Sequence, residues 1–225
     1  GREGSGVEVQ RIRHASFRIV TDRGVQVYLD PWQLPEGLPP ADVVAITHDH
    51  HDHCSAPDVR KLWKAGTVLV GPEAVRARLA GEGLAVQVVQ VGQQRDVMGV
   101  RLRAVEAYTV SKFRASGEPT HPREKGYVGY LLEADGRRVY FAGDTDVVPP
   151  EVDAAGPVDV ALVPVSGIFV MTAEEAAAQL AGRAVRRAVP MHYGAHVGTA
   201  QDAERFRRLA PCPVTVLADG ESLQL

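Results

Sequence analysis

Four of the eight histidines in this 225-residue chain fall within six consecutive positions: His48, His50, His51 and His53, interleaved with Asp49 and Asp52. Neutral imidazole is the commonest protein ligand for borderline divalent metals, and carboxylate oxygen completes sites for zinc, iron or manganese. Six such side chains exceed what one tetrahedral ion can use, so the stretch points to more than one ion. Its position argues against an affinity tag, because it follows an apolar run, "DVVAI", and precedes a helix start instead of lying at a terminus. No GxSxG elbow or other nucleophile motif is present. The chemistry therefore falls to metal-activated water, which loses a proton near neutral pH while the ions polarise the substrate's oxygen.

Residues so placed need strands and helices to hold them. Apolar runs rich in Val and Ile, "SFRIV", "VQVYLD", "DVVAIT", "TVLVG", "YVGYLLEA", "RVYFAG", "DVALVPV" and "VTVLA", predict strands. Helix starts are predicted at Ser55, Thr172 and Thr199, the last two with an acidic residue three positions on, and a further helix through "PEAVRARLAG" closed by Gly81. A weak internal echo links "TDRGVQVYLD" (21–30) to "ADGRRVYFAGD" (134–144). Each has an Asp and Gly turn, a Val-Tyr strand and a terminal Asp, then a second buried strand and a helix. The simplest architecture is α/β, with two similar β-rich halves packed sheet to sheet and helices outside. Strand ends from both halves would then meet at one edge holding Asp30, the histidine cluster and Asp144. Residues 7–225 are expected to form a single domain, with 1–6 a mobile lead-in or an expression remnant.

At 45% hydrophobic and 24% charged residues the composition is that of a globular protein, and a formal charge of −3 speaks against a basic nucleic-acid binder. Cys54 and Cys212 are too few for a disulfide framework. No apolar run approaches the ~18 residues of a membrane span, and "GREGSG" lacks a signal-peptide core. A cytoplasmic location and no transmembrane segment are the expectations.

His48-x-His50-x-Asp52-His53 resembles the HxHxDH signature of the metallo-β-lactamase superfamily. Further marks follow in the family's order: "HASF" from His14, Asp30 in "LDP", His121, Asp144 in "AGDTD" and His192 in "PMHYG". The likeness spans roughly residues 7–222 and is nearest to the branch around ascorbate-6-phosphate lactonase and the N-acyl-phosphatidylethanolamine-hydrolysing phospholipase D. It implies a four-layered αβ/βα sandwich. It also implies two divalent ions, zinc first with manganese or iron as alternatives, one held by His48, His50 and His121 and the other by Asp52, His53 and His192, with Asp144 bridging. Asp30 would orient a ligand imidazole, or else serve as a turn-forming Asp before Pro31. His14 is read as a buried or supporting residue, His196 as a loop residue near the mouth, Cys54 as small and buried, and Asp49 and His51 as bystanders.

The implied function is a metal-dependent hydrolase, in which hydroxide from a dinuclear centre attacks a small ester, lactone, thioester, amide or phosphodiester, with lactonase or phosphodiesterase chemistry favoured. Asp52 would orient the hydroxide or relay a proton, and His192 or Tyr193 would contact the departing or developing oxyanion. The loop from Tyr108 to Lys125 carries Lys112, Arg114, Arg123 and Lys125 against Glu118 and Glu124, so it could meet an anionic small-molecule substrate or be merely solvated. Tyr108 and Lys112 stand in "AYTVSK", where the related branch often reads "AYNxxK"; Thr109 departs from that pattern. The alternatives are a mononuclear iron-dependent sulfur dioxygenase and a non-enzymatic metal-bound binding or sensor module. The sequence assigns no oligomeric state.

Overall fold

Alternation along the strands decides which side chains face which layer. In the run Val43, Val44, Ala45, the first and third side chains join one apolar cluster and the second joins another. Val27 and Leu29 divide from Tyr28 in the same way, the period-2 pattern of a sheet buried on both faces. The protein is described by a computed structural model over residues 6–225. Residues 1–5 of the expected lead-in lie outside the described residues, whereas Gly6 donates its N–H to Asp22 Oδ1 at 3.2 Å.

The first half runs β1 (Glu8–Arg13), β2 (Ser16–Val20), β3 (Gln26–Leu29), β4 (Val43–Ala45), α1 (Ala56–Leu62), β5 (Val68–Gly71), α2 (Glu73–Leu79) and β6 (Gln87–Val88). The second runs β7 (Gln94–Val97), β8 (Val100–Glu106), β9 (Val128–Ala134), β10 (Arg137–Phe141), α3 (Glu151–Ala154), β11 (Val160–Pro164), α4 (Ala173–Leu180), β12 (Ala188–Met191) and α5 (Ala200–Leu209), before β13 (Ser222–Gln224) returns to the first sheet. The sheets are ordered β13-β1-β2-β3-β4-β5-β6 and β12-β11-β10-β9-β8-β7. The echo in the sequence is an echo in topology. β2 pairs antiparallel with β3, then β3-β4-β5 run parallel; β9 pairs antiparallel with β10, then β10-β11-β12 run parallel.

The inner faces of the two sheets share one core, in which the Phe17 and Phe141 rings meet edge to face at 6.0 Å and the Tyr130 hydroxyl donates to the Ile46 carbonyl at 2.7 Å. Val59, Leu62, Val75 and Leu79 of α1 and α2 cover the outer face of the first sheet. Ala176, Leu180, Ala203 and Phe206 of α4 and α5 pack beside β11 and β12. The result is the αβ/βα layering the sequence led us to expect. Among the described residues no helix is long and apolar enough to cross a membrane.

Two expected boundaries shift. The helix through "PEAVRARLAG" ends at Leu79 and tightens into a 3₁₀ turn over Ala80–Glu82, so the left-handed residue that stops it is Gly83, not Gly81. The run "VTVLA" forms no continuous strand; Val214 makes only an isolated bridge to Ala188. Beyond that bridge the next ladder donor on β12 would be Pro190, which carries no N–H, so the pairing stops.

Candidate metal centre

Parallel strands deliver their carboxyl ends to one edge, and the loops leaving those ends carry the expected residues. Asp30 follows β3, the histidine cluster follows β4, Asp144 follows β10 and His192 follows β12. His14 sits in the β1–β2 turn, and His121 lies in the long β8–β9 connection. His14, Asp30 and His192 all have positive φ, at 52°, 44° and 63°. Such backbone is sparsely populated outside glycine and concentrates where a side chain must be aimed. Gly143, at φ +69°, brings Asp144 round a turn too tight for a side chain: a Cβ there would lie 3.1 Å from the Val128 carbonyl.

Hydrogen bonds to Asp30 and Thr47 set which ring nitrogen of His48 and His53 is free. Asp30 Oδ1 accepts from the Thr47 N–H (2.7 Å), and Asp30 Oδ2 accepts from both the Thr47 hydroxyl (2.6 Å) and His53 Nδ1 (2.7 Å). Having given its proton to Asp30, Thr47 Oγ1 can only accept from His48 Nδ1, 2.8 Å away. His48 and His53 thus both carry the proton on Nδ1 and turn the Nε2 lone pair inward. The second half repeats the device. Thr120 Oγ1 donates to the Phe169 carbonyl (2.9 Å) and accepts from His121 Nδ1 (3.1 Å), while the Ser166 hydroxyl stands 3.3 Å from His192 Nδ1.

These inward nitrogens converge. Asp144 Oδ2 lies 3.0 Å from His121 Nε2, 3.2 Å from both His53 and His192 Nε2, and 3.4 Å from His48 Nε2. Asp52 Oδ2 lies 2.8 Å from His14 Nε2, 3.3 Å from His53 Nε2 and 3.8 Å from His192 Nε2. Ligand atoms of His48, His50, His121 and Asp144 all fall within 4.8 Å of one another, and so do those of His14, Asp52, His53 and His192. Asp30 also lies close to His48 and His53, but its oxygens are taken by Thr47 and His53.

The donor set fits divalent metal. The Nε2 atoms of His48, His53 and His121 and Oδ1 of Asp144 are buried with no hydrogen-bond partner, an arrangement that costs free energy unless a cation uses those lone pairs. Burial lowers the pKa of His48 to about 3, with the His53 charge adding to it, and that of His50 and His14 to about 4. All three are then neutral at physiological pH, the form that binds metal. Burial opposes ionisation of Asp52 and Asp144 as well. For Asp52 the charge of His53 and hydrogen bonds from His14 and His53 win, for Asp144 the charges of His192, His53 and His48 win, and both carboxyls lie below the usual range. Against burial, the same two carboxylates hold His53 well above the ordinary imidazole value. A buried group of carboxylates that draws a proton onto a histidine is one that calls for positive charge.

A cavity of about 380 Å³ opens onto this cluster, with His50, Asp52, Arg78, Arg114, Phe169 and His196 in its lining. Cavities of about 420 Å³ beside Asp96 and Arg137 and about 470 Å³ beside Gln10 and Leu38 lie away from the histidines, so volume alone does not mark the site. Of the loop expected to meet substrate, Arg114 reaches the cavity, with a guanidinium N–H 3.2 Å from His50 Nε2. Lys112 and Arg123 do not line it. Lys112 pairs with Glu175 at 2.8 Å, and Arg123 pairs with Glu106 at 2.7 Å above the ring of Tyr108. Thr109, where the related branch often has Asn, is buried and its hydroxyl accepts the His121 N–H at 2.9 Å.

Tyr193, expected to touch an oxyanion, is buried in the core with the Arg11 guanidinium 4.1 Å from its ring centre, and does not line the cavity. Arg11 is itself buried and donates to the carbonyls of His14, Tyr193 and Leu217. It ties the two turns that present His14 and His192. His51 is exposed, and Cys54 is buried, its thiol pushed up to about 12 by burial. Sequence reasoning missed Thr47, Thr120, Ser166, Arg11 and Arg78. A signal for the first two existed, since the same dipeptide, Thr-His, occurs at 47–48 and 120–121.

Comparison with known proteins now decides the family. The model of the Beta-lactamase superfamily domain matches residues 15–193. The chain belongs to the β-lactamase superfamily. A relative named a UPF0173 metal-dependent hydrolase, from Thermococcus onnurineus, is 31% identical over 234 residues, covering 97% of this superfamily member and 100% of that protein. A crystal structure described as a metal-dependent hydrolase of Parabacteroides distasonis superposes with TM-score 0.80 at 26% identity, covering 98% of this chain and 97% of that one. CmlA, a diiron β-hydroxylase of Streptomyces venezuelae, superposes with TM-score 0.75 at 16% identity, over 98% of this chain and 54% of that one, a likeness of fold alone. The fold is the metallo-β-lactamase fold. None of these three is named for the ascorbate-6-phosphate lactonase branch.

Proposed function

We propose that this metal-dependent hydrolase of the β-lactamase superfamily works with two divalent ions, zinc in the first place, on a small ester, lactone, thioester, amide or phosphodiester. His48, His50 and His121 would hold one ion, Asp52, His53 and His192 the other, and Asp144 would lie between them. The observation that carries this reading is the ring of four Nε2 atoms within 3.0–3.4 Å of Asp144 Oδ2, beside the separate set around Asp52. Bound there, the ions would supply a polarising charge for the substrate's oxygen and a water acidic enough to attack near neutral pH.

The chain's own groups do the rest. Asp30 holds the tautomers of His53 directly and of His48 through Thr47, so both present a lone pair without reorganisation. His14 Nε2 donates to Asp52 Oδ2 and keeps that carboxylate turned toward the cluster. Among the described residues Asp52 Oδ1 makes no hydrogen bond, the exposed His51 ring standing 3.9 Å away, and it would be the atom to relay a proton released during attack. His192 stands beside both carboxylates and would face the developing oxyanion.

The reading is tested with a panel of lactones, phosphodiesters, thioesters and β-lactams on zinc-loaded protein, wild type and D52N. The expected result is hydrolysis of at least one class, lost by at least a hundredfold in D52N while circular dichroism is unchanged. Oxygen consumption on a persulfide with one iron per chain, and no hydrolysis, would replace it with the dioxygenase reading.

A further inference from the structure

The cavity over the histidine cluster carries two arginines, Arg78 and Arg114, that pair with no carboxylate among the described residues. Arg78, from the last turn of α2, makes no hydrogen bond or ion pair among the described residues, although α2 offers Glu73, which pairs with Arg76 instead. The Arg114 guanidinium donates to His50 Nε2 at 3.2 Å and to the Thr120 carbonyl at 3.4 Å, and has no acidic partner among the described residues. The neighbouring loop cations Lys112 and Arg123 are both neutralised by glutamates. Among the cavity's lining residues the one carboxylate is Asp52, which His14 and His53 already engage. Neither guanidinium is neutralised by a carboxylate among the described residues, and the planar fork of arginine suits carboxylate and phosphoryl oxygens.

A third lining residue adds an apolar wall. Phe169 is 46% exposed and sits at φ 69°, a left-handed backbone that a bulky residue rarely adopts. Its carbonyl is held there by the hydroxyl of Thr120, the same hydroxyl that orients His121. An aromatic ring kept exposed by strained backbone, beside the cavity and tied to a histidine of the cluster, is placed for a ligand more than for packing.

Building on the hydrolase reading above, we propose that the substrate is a small molecule bearing an anionic group, carboxylate or phosphoryl, held between Arg78 and Arg114, and an apolar part that lies on Phe169. Because Arg114 is within 3.2 Å of His50, the anion sits next to the bond that the metal centre attacks. Arg78 makes no hydrogen bond or ion pair with the proposed metal ligands among the described residues, so its contribution separates anion recognition from metal binding.

Titration calorimetry with phenylphosphonate, benzoate, benzamide and inorganic phosphate tests this on wild type, R78Q, R114Q and F169A, each zinc-loaded and again after chelation. The account predicts that phenylphosphonate or benzoate binds, the tighter of the two naming the anion, and that affinity falls roughly tenfold in R78Q and in R114Q. Zinc content should be unchanged in R78Q. F169A should weaken the aromatic anions and leave inorganic phosphate alone. Wild-type affinity in R78Q, or equal binding of neutral benzamide, would overturn the proposal. Failure of the metal reading would show differently, as zinc that does not bind, with arginine-dependent anion binding persisting in the chelated protein.

Discussion

At the scale of single residues, the centre depends on atoms that never touch metal. The Thr47 hydroxyl donates its hydrogen bond to Asp30 and so accepts from His48, holding the His48 proton on Nδ1. Thr47→Val keeps the volume and removes only the hydroxyl. Metal affinity should fall at least about tenfold, the usual effect of deleting such a partner, with secondary structure intact. Competition against a chromophoric zinc chelator measures this, and an affinity equal to wild type would mean the His48 tautomer is set some other way. The histidines themselves were legible because four of them lie in one short run and the rest fall in a known family's order. The hydroxyls behind them were harder to see, since the repeated Thr-His dipeptide at 47–48 and 120–121 is their one local mark and Ser166 has none. Tyr193 and Arg11 show the same limit. Both are buried, and nothing local in the sequence signals the contact between them.

At the scale of elements, the loop that carries His121 is held by its own hydrogen bonds, such as Thr120 N–H to the Lys112 carbonyl at 2.9 Å, and by its neighbours. Asp146 accepts from the N–H groups of Val110 and Ser111, and Lys112 reaches Glu175. Glu175 also completes the capping box of α4, accepting the Thr172 N–H at 3.0 Å while Thr172 Oγ1 accepts the Glu175 N–H at 3.0 Å. Glu175→Ala removes both attachments, and we expect a loss of about 1 kcal/mol. Urea denaturation should show a lower midpoint at unchanged slope, and an unaltered midpoint would contradict the double role. The cap was readable as Thr-x-x-Glu, but its pairing with Lys112 joins residues 63 apart. β12 was obscured for a local reason. Pro190 stands inside it, tolerated because β12 ends the sheet.

At the scale of the molecule, each half supplies part of the centre. The first sheet's loops present His14, Asp30 and residues 48–53, and the second's present His121, Asp144 and His192. The sequence echo foretold this meeting, because matched hairpins ending in Asp30 and Asp144 bring equivalent strand ends together. Ions bound between the halves would join sheet to sheet, so stability should follow free metal. At free zinc 100-fold above Kd the gain is about 2.7 kcal/mol for each ion bound, roughly 5–10 °C in Tm per ion for a chain of this size. Scanning calorimetry before and after chelation would read it, and an unchanged Tm would mean the centre bears no load between the halves.

The central claim is a dinuclear centre, and metal stoichiometry tests it most directly. Protein stripped with chelator, reconstituted with zinc and desalted should retain two zinc ions per chain by plasma emission spectrometry. One ion per chain, or none, would contradict the account.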